Sequence, residues 1–98
     1  MERQWFLESI GADGSHLTHP ITQLPFSIGR DPKNDLVLAS RGLSLHHALL
    51  TPDISGRLRL TDLNSTNGSF VSRQRIEGSC LLEENDIIHF GTAEFRLR

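Results

Sequence analysis

The sequence predicts an all-β domain, either a sandwich or a barrel, and three observations support this. Short runs in which apolar and polar residues alternate recur along the chain, as expected of half-buried strands. Clusters rich in Asp, Asn, Gly and Pro separate these runs at close intervals, and such clusters form turns. No window longer than ten residues keeps an apolar period of 3.6. Many short strands with regular turns are typical of β-sandwiches and barrels.

Ten runs, taken in chain order, are the predicted strands. They cover residues 4–11, 16–23, 25–30, 35–40, 46–52, 57–63, 69–72, 74–78, 86–91 and 94–98. The sixth run, RLRLTDL, illustrates the prediction. Leu58, Leu60 and Asp62 share one face of this strand, and Arg57 and Arg59 share the other. We therefore expect one face to lie in the core and the other in water.

Length and composition predict a single domain over residues 1–98. A chain of 98 residues is long enough to bury one modest core. With 37% hydrophobic and 22% charged residues, the chain is close to the globular average.

Neither a signal peptide nor an apolar run of membrane-spanning length is present, so we expect a cytoplasmic protein. The net charge of −2 argues against nucleic-acid binding through bulk electrostatics. The lone Cys80 is expected to pack rather than to react.

Three motifs that are far apart in the sequence each stand where a strand meets a loop. They are Gly29-Arg30, then LSLHHA with Ser44 and His47, then DLNSTNGSF with Thr66, Asn67 and Gly68. Loops at one end of a sandwich can bring such residues together.

The side chains of these motifs suit an oxyanion attached to a peptide. Arg30 can present two parallel N–H donors to a phosphate, and Ser44 and Thr66 can each give one O–H. Asn67 can both donate and accept, as recognition of a peptide backbone requires. Glycines beside these side chains allow close approach of the backbone or a positive φ.

From about Phe26 to Arg98 the chain resembles the forkhead-associated (FHA) domain family. The matching segments are FSIGR, LSLHHA, DLNSTNGSF and LLEENDIIHFG, in this order. The resemblance implies an eleven-stranded β-sandwich of two antiparallel sheets with its binding loops at one end. It also implies a phosphopeptide-binding module that recognises phosphothreonine in signalling, since FHA domains read phosphorylated motifs through arginine.

The resemblance also implies a role for each matching residue. Arg30 and Ser44 would contact the phosphate, Thr66 would add a contact, and Asn67 would hold the peptide backbone. His47 would brace the loops from behind, and Gly29 and Gly68 would shape the backbone. No enzyme activity, cofactor or metal is implied, and the partner would be a phosphothreonine-containing protein rather than nucleic acid or membrane. We expect an N-terminal module of a larger signalling protein, whose other domains could be further partners.

Three positions depart from the family pattern. Leu45 stands where the family often has Arg or Asn, so one donor is missing, and Arg41 in the same loop could replace it. Ser72-Arg73 replaces a common Asn-Gly, and Asn85-Asp86 replaces Gly-Asp. The last change is mild, since Asn also tolerates positive φ.

Three other functions use residues of the same motifs or the histidines of the chain. A phosphate-independent interaction or self-association module with the same fold is the main alternative, and Leu45 favours it. A hydrolase built from Ser44, His47 and Asp62 lacks the Gly-x-Ser-x-Gly elbow. A metal site from His16 and His19, with His46 or His89, lacks an acid or thiol cluster that completes four ligands.

Overall fold

The computed structural model describes residues 3–11 and 13–98 of the chain, and within these ranges it contains eleven strands and no helix. The strands are β1 (Trp5–Ile10), β2 (His16–Ile21), β3 (Phe26–Gly29), β4 (Leu36–Val37), β5 (Ala48–Pro52), β6 (Leu58–Asp62), β7 (Ser69–Val71), β8 (Gln74–Arg75), β9 (Ser79–Leu81), β10 (Ile87–Phe90) and β11 (Ala93–Leu97). In the described part of the chain no helix is available that could cross a membrane.

The strands form two sheets. One has six strands in the order β2-β1-β11-β10-β7-β8, and the other has five in the order β4-β3-β5-β6-β9. The short β3–β4 pair is parallel, and the other pairs are antiparallel. The predicted all-β sandwich and the strand number implied by the family resemblance are both confirmed.

The core lies between the sheets and follows the predicted alternation. Leu58 and Leu60 of β6 are buried, as are Leu50 of β5 and Ile88 of β10. Asp62 continues the inward face of β6 and is half-buried, because it lies at the rim where the core gives way to loops. The apolar faces of the strands therefore fix which sheet surface meets the other sheet.

The strand prediction was wrong at β9, β4 and β8, and β8 covers Gln74–Arg75 instead of the predicted 74–78. Strand β9 was not among the ten predicted runs, because its three residues Ser79, Cys80 and Leu81 are too few to show alternation. Strand β4 spans two residues instead of the predicted 35–40. Its only partner in the described part of the chain, β3, ends at Gly29, and the bond from the Leu38 N–H to the Gly29 carbonyl (3.0 Å) is the last contact between the two strands. Cys80 pairs with Leu60 and is half-buried, which agrees with a packing role.

The sandwich has two ends, and they differ in what their loops carry. We call the end with the connections 38–47 and 63–68 the site end. The end with the connections 53–57 and 82–86 is called the far end. Backbone hydrogen bonds join the loops within each end: the Leu63 N–H donates to the His47 carbonyl at the site end, and the Leu82 N–H donates to the Leu58 carbonyl at the far end.

Candidate functional site

Arg30 follows the last residue of β3 at the site end, and its side chain is fixed at its base. Its backbone N–H donates to the Ser44 carbonyl (3.0 Å), and its Nε donates to the Leu43 carbonyl (3.2 Å). No carboxylate of the described residues lies within ion-pairing distance of this guanidinium. The N–H donors on its two terminal nitrogens therefore remain available to a ligand in a set orientation.

The hydroxyl of Ser44 is oriented by the neighbouring loop. The backbone N–H of Thr66 donates to the Ser44 Oγ (3.0 Å). Because one lone pair of this oxygen is occupied, its own proton can point away from the protein toward an acceptor. The same bond joins the connection 38–47 to the connection 63–68, so it brings Thr66 beside Ser44. The Thr66 residue itself is exposed.

Asn67 is exposed, and its side chain is tied to the opposite loop. Its Nδ2 donates to the Gly42 carbonyl (2.9 Å). A second N–H and the amide oxygen Oδ1 remain for a ligand, because one carboxamide carries two donors and one acceptor oxygen. Arg41 precedes Gly42 in this turn and is exposed. The turn therefore places Arg41 at the edge of the site.

His47 is fully buried and bridges the two loops from beneath. Its Nδ1 accepts from the Ser44 N–H (3.1 Å), and its Nε2 donates to the Gly68 carbonyl (2.9 Å). These partners require the neutral tautomer with its proton on Nε2. The ring also meets Phe90 edge-on, with centroids 5.9 Å apart. His47 therefore holds in place the backbone of both loops that carry the candidate ligands.

A second buried group, centred on Asp62, supports the connection 63–68. Its carboxylate accepts from the Ser65 Oγ (2.6 Å), the Ser65 N–H (3.1 Å) and the Ser69 Oγ (2.7 Å). The Ser65 Oγ in turn accepts from the Gly68 N–H (3.0 Å). Burial alone would raise the pKa of the Asp62 carboxyl, but the hydrogen bonds from Ser65 and Ser69 lower it by more, so the pKa lies below its ordinary value of 3.8.

Sequence reasoning missed Ser65 and Ser69 as supports of the site. Both hydroxyls are directed to Asp62, and both residues are buried. The sequence contained one signal for the first of them. A serine three residues after an aspartate at a strand end suits a local side-chain-to-backbone turn.

The two glycines of the motifs are needed for different reasons. A Cβ on Gly29 would overlap the Leu45 carbonyl oxygen, which also accepts from the Asp31 N–H (3.2 Å) and the Asn34 Nδ2 (2.8 Å). Gly68 has a φ of +87°, and a Cβ there would lie 2.7 Å from the Arg75 Nε. Gly29 therefore permits close packing of two loops, whereas Gly68 also permits a left-handed backbone.

Leu45 presents an apolar side chain beside the site. Its carbonyl is held by the contacts of Asp31 and Asn34, while the residue is 48% exposed. No side-chain donor is therefore supplied from this position. Its neighbour His46 is exposed and lies 4.0 Å from the Asp31 carboxylate, so the structure places it on the solvent side of the loop, opposite to His47.

The geometry does not assemble a hydrolase triad. Ser44 contacts His47 through its backbone N–H, while its Oγ contacts Thr66. Both ring nitrogens of His47 are occupied, by Ser44 and Gly68. A nucleophile needs its hydroxyl within hydrogen-bond reach of the base, and that relation is not present between these residues.

The histidines proposed for a metal site are dispersed, and each is near a different partner. His16 lies near Glu8, His19 near Ser9, His46 near Asp31 and His89 near Glu94. No group of three or more His, Cys, Asp or Glu within residues 3–11 and 13–98 is placed to hold a metal ion.

The FHA domain family model matches residues 26–91, which is more than half of the chain and contains all three motifs. The chain belongs to the FHA domain family. Its relatives include the transcriptional regulatory protein EmbR of Mycobacterium tuberculosis and Mycobacterium bovis, with 35% identity over 77 residues. That match covers 79% of this FHA domain and 20% of EmbR, so the chain spans about a fifth of the length of this relative.

Solved FHA structures match over nearly the whole chain. The structure of M. tuberculosis EmbR in complex with a low affinity phosphopeptide has a TM-score of 0.86 and 33% identity, covering 97% of this chain and 24% of EmbR. An FHA domain from Chlamydia trachomatis gives 0.88 and 25%, covering 97% of this chain and 96% of that one. The FhaA FHA domain, complexed with the intracellular domain of another protein, gives 0.81 and 28%, covering 98% and 100%.

Proposed function

We propose that this FHA domain binds protein segments that contain phosphothreonine. Arg30 and Ser44 hold the phosphate, Thr66 adds a contact, and Asn67 holds the peptide backbone. The observation that carries the proposal is the convergence of three loops on one surface. At that surface a guanidinium anchored through its Nε and a hydroxyl oriented by a backbone N–H both leave donors open. A phosphate accepts several such donors at once.

Local charge supports phosphate binding in spite of the net charge of −2. Arg30 has no ion-pair partner among the described residues. The carboxylate of the adjacent Asp31 accepts from the Lys33 N–H and lies 4.0 Å from His46, and the Asp62 carboxylate accepts from serine hydroxyls. A dianionic phosphate would therefore meet a positive group without a competing intramolecular carboxylate. The oriented donors also reduce the entropy that binding must remove.

Asn67 supports a peptide ligand rather than free phosphate. Phosphate oxygens only accept hydrogen bonds when fully ionised, so they cannot use the acceptor Oδ1 of a carboxamide. A peptide offers both an N–H and a C=O at each residue. The anchoring of Nδ2 to Gly42 (2.9 Å) orients this amide for such paired bonds.

Arg41 is proposed as an auxiliary ligand contact. It is exposed in the turn that contacts Asn67, and no donor comes from the neighbouring Leu45. Removal of the Arg41 charge should weaken phosphopeptide binding, and Leu45→Arg should strengthen it. A well-placed charge-assisted contact contributes about 1.5–3 kcal/mol, less where it is exposed to solvent.

A phosphate-independent interaction module is the second candidate. It is favoured by Leu45, which is 48% exposed in a loop whose backbone is fixed. A rigid apolar side chain at this position could contact a partner that carries no phosphate. In that case the affinity would depend on Leu45 and not on Arg30.

Titration calorimetry with one peptide in phosphorylated and unphosphorylated forms tests the choice. We expect the phosphothreonine peptide to bind and its unphosphorylated form not to bind. A phosphoserine peptide should bind more weakly than the phosphothreonine peptide, because it lacks a methyl group whose burial contributes about 0.8 kcal/mol. Equal affinities for the phosphorylated and unphosphorylated peptides would favour the second candidate. Leu45→Ala and Arg30→Ala then identify which residue carries the interaction.

The context of the whole protein is part of the same proposal. Since the matched relative EmbR is about five times longer than its matching region, we propose that this domain serves as a recognition module within a larger signalling protein. A binding role without catalysis and a cytoplasmic location agree with this. Phosphorylation of proteins in the cytoplasm creates the charged groups that arginine sites bind.

A further inference from the structure

Arg75 lies against the site although none of the three motifs includes it. Its guanidinium packs over Gly68, where a Cβ would come within 2.7 Å of the Arg75 Nε and 3.0 Å of its Cζ. Gly68 follows Asn67 directly and accepts the hydrogen bond of His47 at its carbonyl. The Arg75 side chain is therefore beside the loop that would hold the peptide backbone.

The position of Arg75 is set by the register of the β7–β8 hairpin. Strand β8 pairs with β7 through Phe70 opposite Arg75 and Val71 opposite Gln74. The Ile76 N–H donates to the Ser69 carbonyl (3.0 Å) and extends this register toward the site end. In a strand a shift of one residue would turn the side chain to the other face. The register thus fixes Arg75 on the face that carries Phe70.

Arg75 is exposed, and no carboxylate of the described residues lies within 4.0 Å of its guanidinium. Arg59, also on a β-strand, reaches Asp53 at 3.5 Å, and Arg57 reaches Glu83 at 3.2 Å. A positive charge that lies next to a binding loop and lacks an intramolecular partner is available to a ligand.

We propose that Arg75 selects a peptide that carries a second anionic side chain next to the residues held by Asn67. The inference rests on the proposed function of the site, and it narrows the ligands to phosphothreonine segments with an additional carboxylate or phosphate. Both anions accept the paired N–H donors of a guanidinium. The first phosphate is assigned to Arg30, so the two arginines recognise separate groups.

The test uses the 98-residue chain and a set of matched peptides. The parent peptide has alanine on both sides of phosphothreonine, and a single glutamate takes each flanking position in turn. We expect one position to tighten binding by about two- to fivefold, the range of an exposed ion pair. Arg75→Gln should abolish this gain, so that the variant binds the parent peptide and the glutamate peptide with equal affinity. Raising the salt from about 0.1 M to 1 M should also remove it.

A matched control separates a local contact from general electrostatics. Arg96→Gln removes the same charge from β11, where Arg96 is exposed and pairs across the sheet with Ile87. This variant should keep the glutamate gain. Phosphoserine is then placed at the preferred position instead of glutamate. A higher affinity than with glutamate would identify a phosphate as the second anion, and an equal affinity would show that a carboxylate suffices.

The outcomes distinguish the inference from the function on which it rests. Binding of the parent peptide without gain at any glutamate position would overturn the role of Arg75 and leave the phosphothreonine site intact. A gain that persists in Arg75→Gln, or that disappears equally in Arg96→Gln, would also overturn it. Failure of every phosphopeptide to bind would overturn the proposed function itself.

Discussion

The two ends of the sandwich use arginine in opposite ways. At the far end and along the edge next to it, arginines pair with acids of the same chain: Arg3 with Glu84 (2.7 Å), Arg57 with Glu83 (3.2 Å), Arg59 with Asp53 (3.5 Å) and Arg98 with Glu8 (3.8 Å). At the site end, the exposed residues Arg30, Arg41 and Arg75 reach no carboxylate of the described residues. Two exposed arginines elsewhere, Arg73 in the β7–β8 turn and Arg96 on β11, also reach no carboxylate of the described residues. The grouping of three unpaired arginines around the loops, and not the lack of a partner alone, therefore favours a binding surface at the site end.

The buried residues differ in the same direction. Beneath the site end, the rim of the core is polar, with His47 and Ser69 fully buried and Ser65 nearly so. Toward the far end, the corresponding positions are apolar, with Leu58 and Leu82. Polar groups cost free energy to bury unless they are hydrogen-bonded, and those under the site end are bonded to the loops they support. At the site end, buried polar groups hold the loop backbone and the exposed arginine side chains remain unpaired. At the far end, the arginine side chains are paired with carboxylates.

The largest effect that would test this difference is expected from Arg30→Ala. The variant should lose detectable phosphopeptide binding, because truncation of one partner of a charge pair that becomes desolvated in the complex costs about 2–5 kcal/mol. Its Nε bond to Leu43 (3.2 Å) is one contact at the surface, so the thermal midpoint should change little. Calorimetry and thermal denaturation measure the two properties on the same sample.

Arg57→Ala is the matched control for Arg30→Ala. Arg57 contacts the Leu82 carbonyl (3.3 Å) through its Nε and Glu83 through its terminal nitrogen, so its Nε bond is similar in kind. Its removal at the far end should leave the phosphopeptide affinity unchanged. Equal losses in the two variants would mean that net charge, and not the placement of Arg30, determines binding.

His47→Ala should reduce stability first and binding second. The side chain is fully buried and uses both ring nitrogens. Its loss leaves the Ser44 N–H without that acceptor, leaves the Gly68 carbonyl with the Gly91 N–H alone (3.2 Å), and opens a cavity. We expect a loss of about 2–4 kcal/mol in the free energy of unfolding. Denaturant titration measures it. A variant with native stability and abolished binding would instead make His47 a ligand contact.

Asp62→Asn should destabilise the connection 63–68 by about 1–3 kcal/mol, because a carboxamide has one acceptor oxygen for the donors of Ser65 and Ser69. The folded-state pKa of Asp62 is lowered from 3.8, so its contribution is fully present above the unfolded pKa. It is lost as pH falls through the folded pKa. Stability curves of the two proteins should therefore differ at neutral pH and approach each other below about pH 4. A constant difference down to the acid limit would contradict this role.

The sequence could predict the residues that follow strand periodicity or a motif, but not those that depend on the path of a loop. Leu58 and Leu60 were placed in the core by alternation, and they are buried. Ser69 serves Asp62 across seven positions, a spacing with no regular period. The loop between these residues includes Asn64 with a φ of 56°, a backbone conformation that a local sequence pattern does not specify. Arg75 was missed for the same reason, since its approach to Gly68 depends on the register of the hairpin.

Strand β9 shows another limit of periodicity. With three residues, of which Ser79 is exposed and Leu81 half-buried, it offers too little alternation to be recognised. It is defined by pairing with β6, where Cys80 lies opposite Leu60. Family resemblance supplied the strand count because it carries information on long-range pairing that a local pattern lacks.

The smallest effect we predict concerns the β7–β8 turn, which lies away from the candidate ligand contacts. Ser72 and Arg73 occupy a two-residue turn with φ values of 51° and 66°, a conformation that favours Asn-Gly in hairpins. A non-glycine residue in the left-handed region destabilises the folded state by about 1–2 kcal/mol. Glycine removes this strain, but it loses more conformational entropy on folding, which costs about 0.5–1 kcal/mol. Ser72→Asn with Arg73→Gly should thus stabilise the domain by about 1 kcal/mol and raise its Tm by about 4–8 °C.

Thermal denaturation checks the gain, and phosphopeptide titration should give an unchanged affinity, because the register that places Arg75 is retained. An unchanged or lower Tm would mean that contacts of the Ser72 and Arg73 side chains offset the backbone strain. A changed affinity would show that the turn, and not the β7–β8 pairing alone, determines where Arg75 lies.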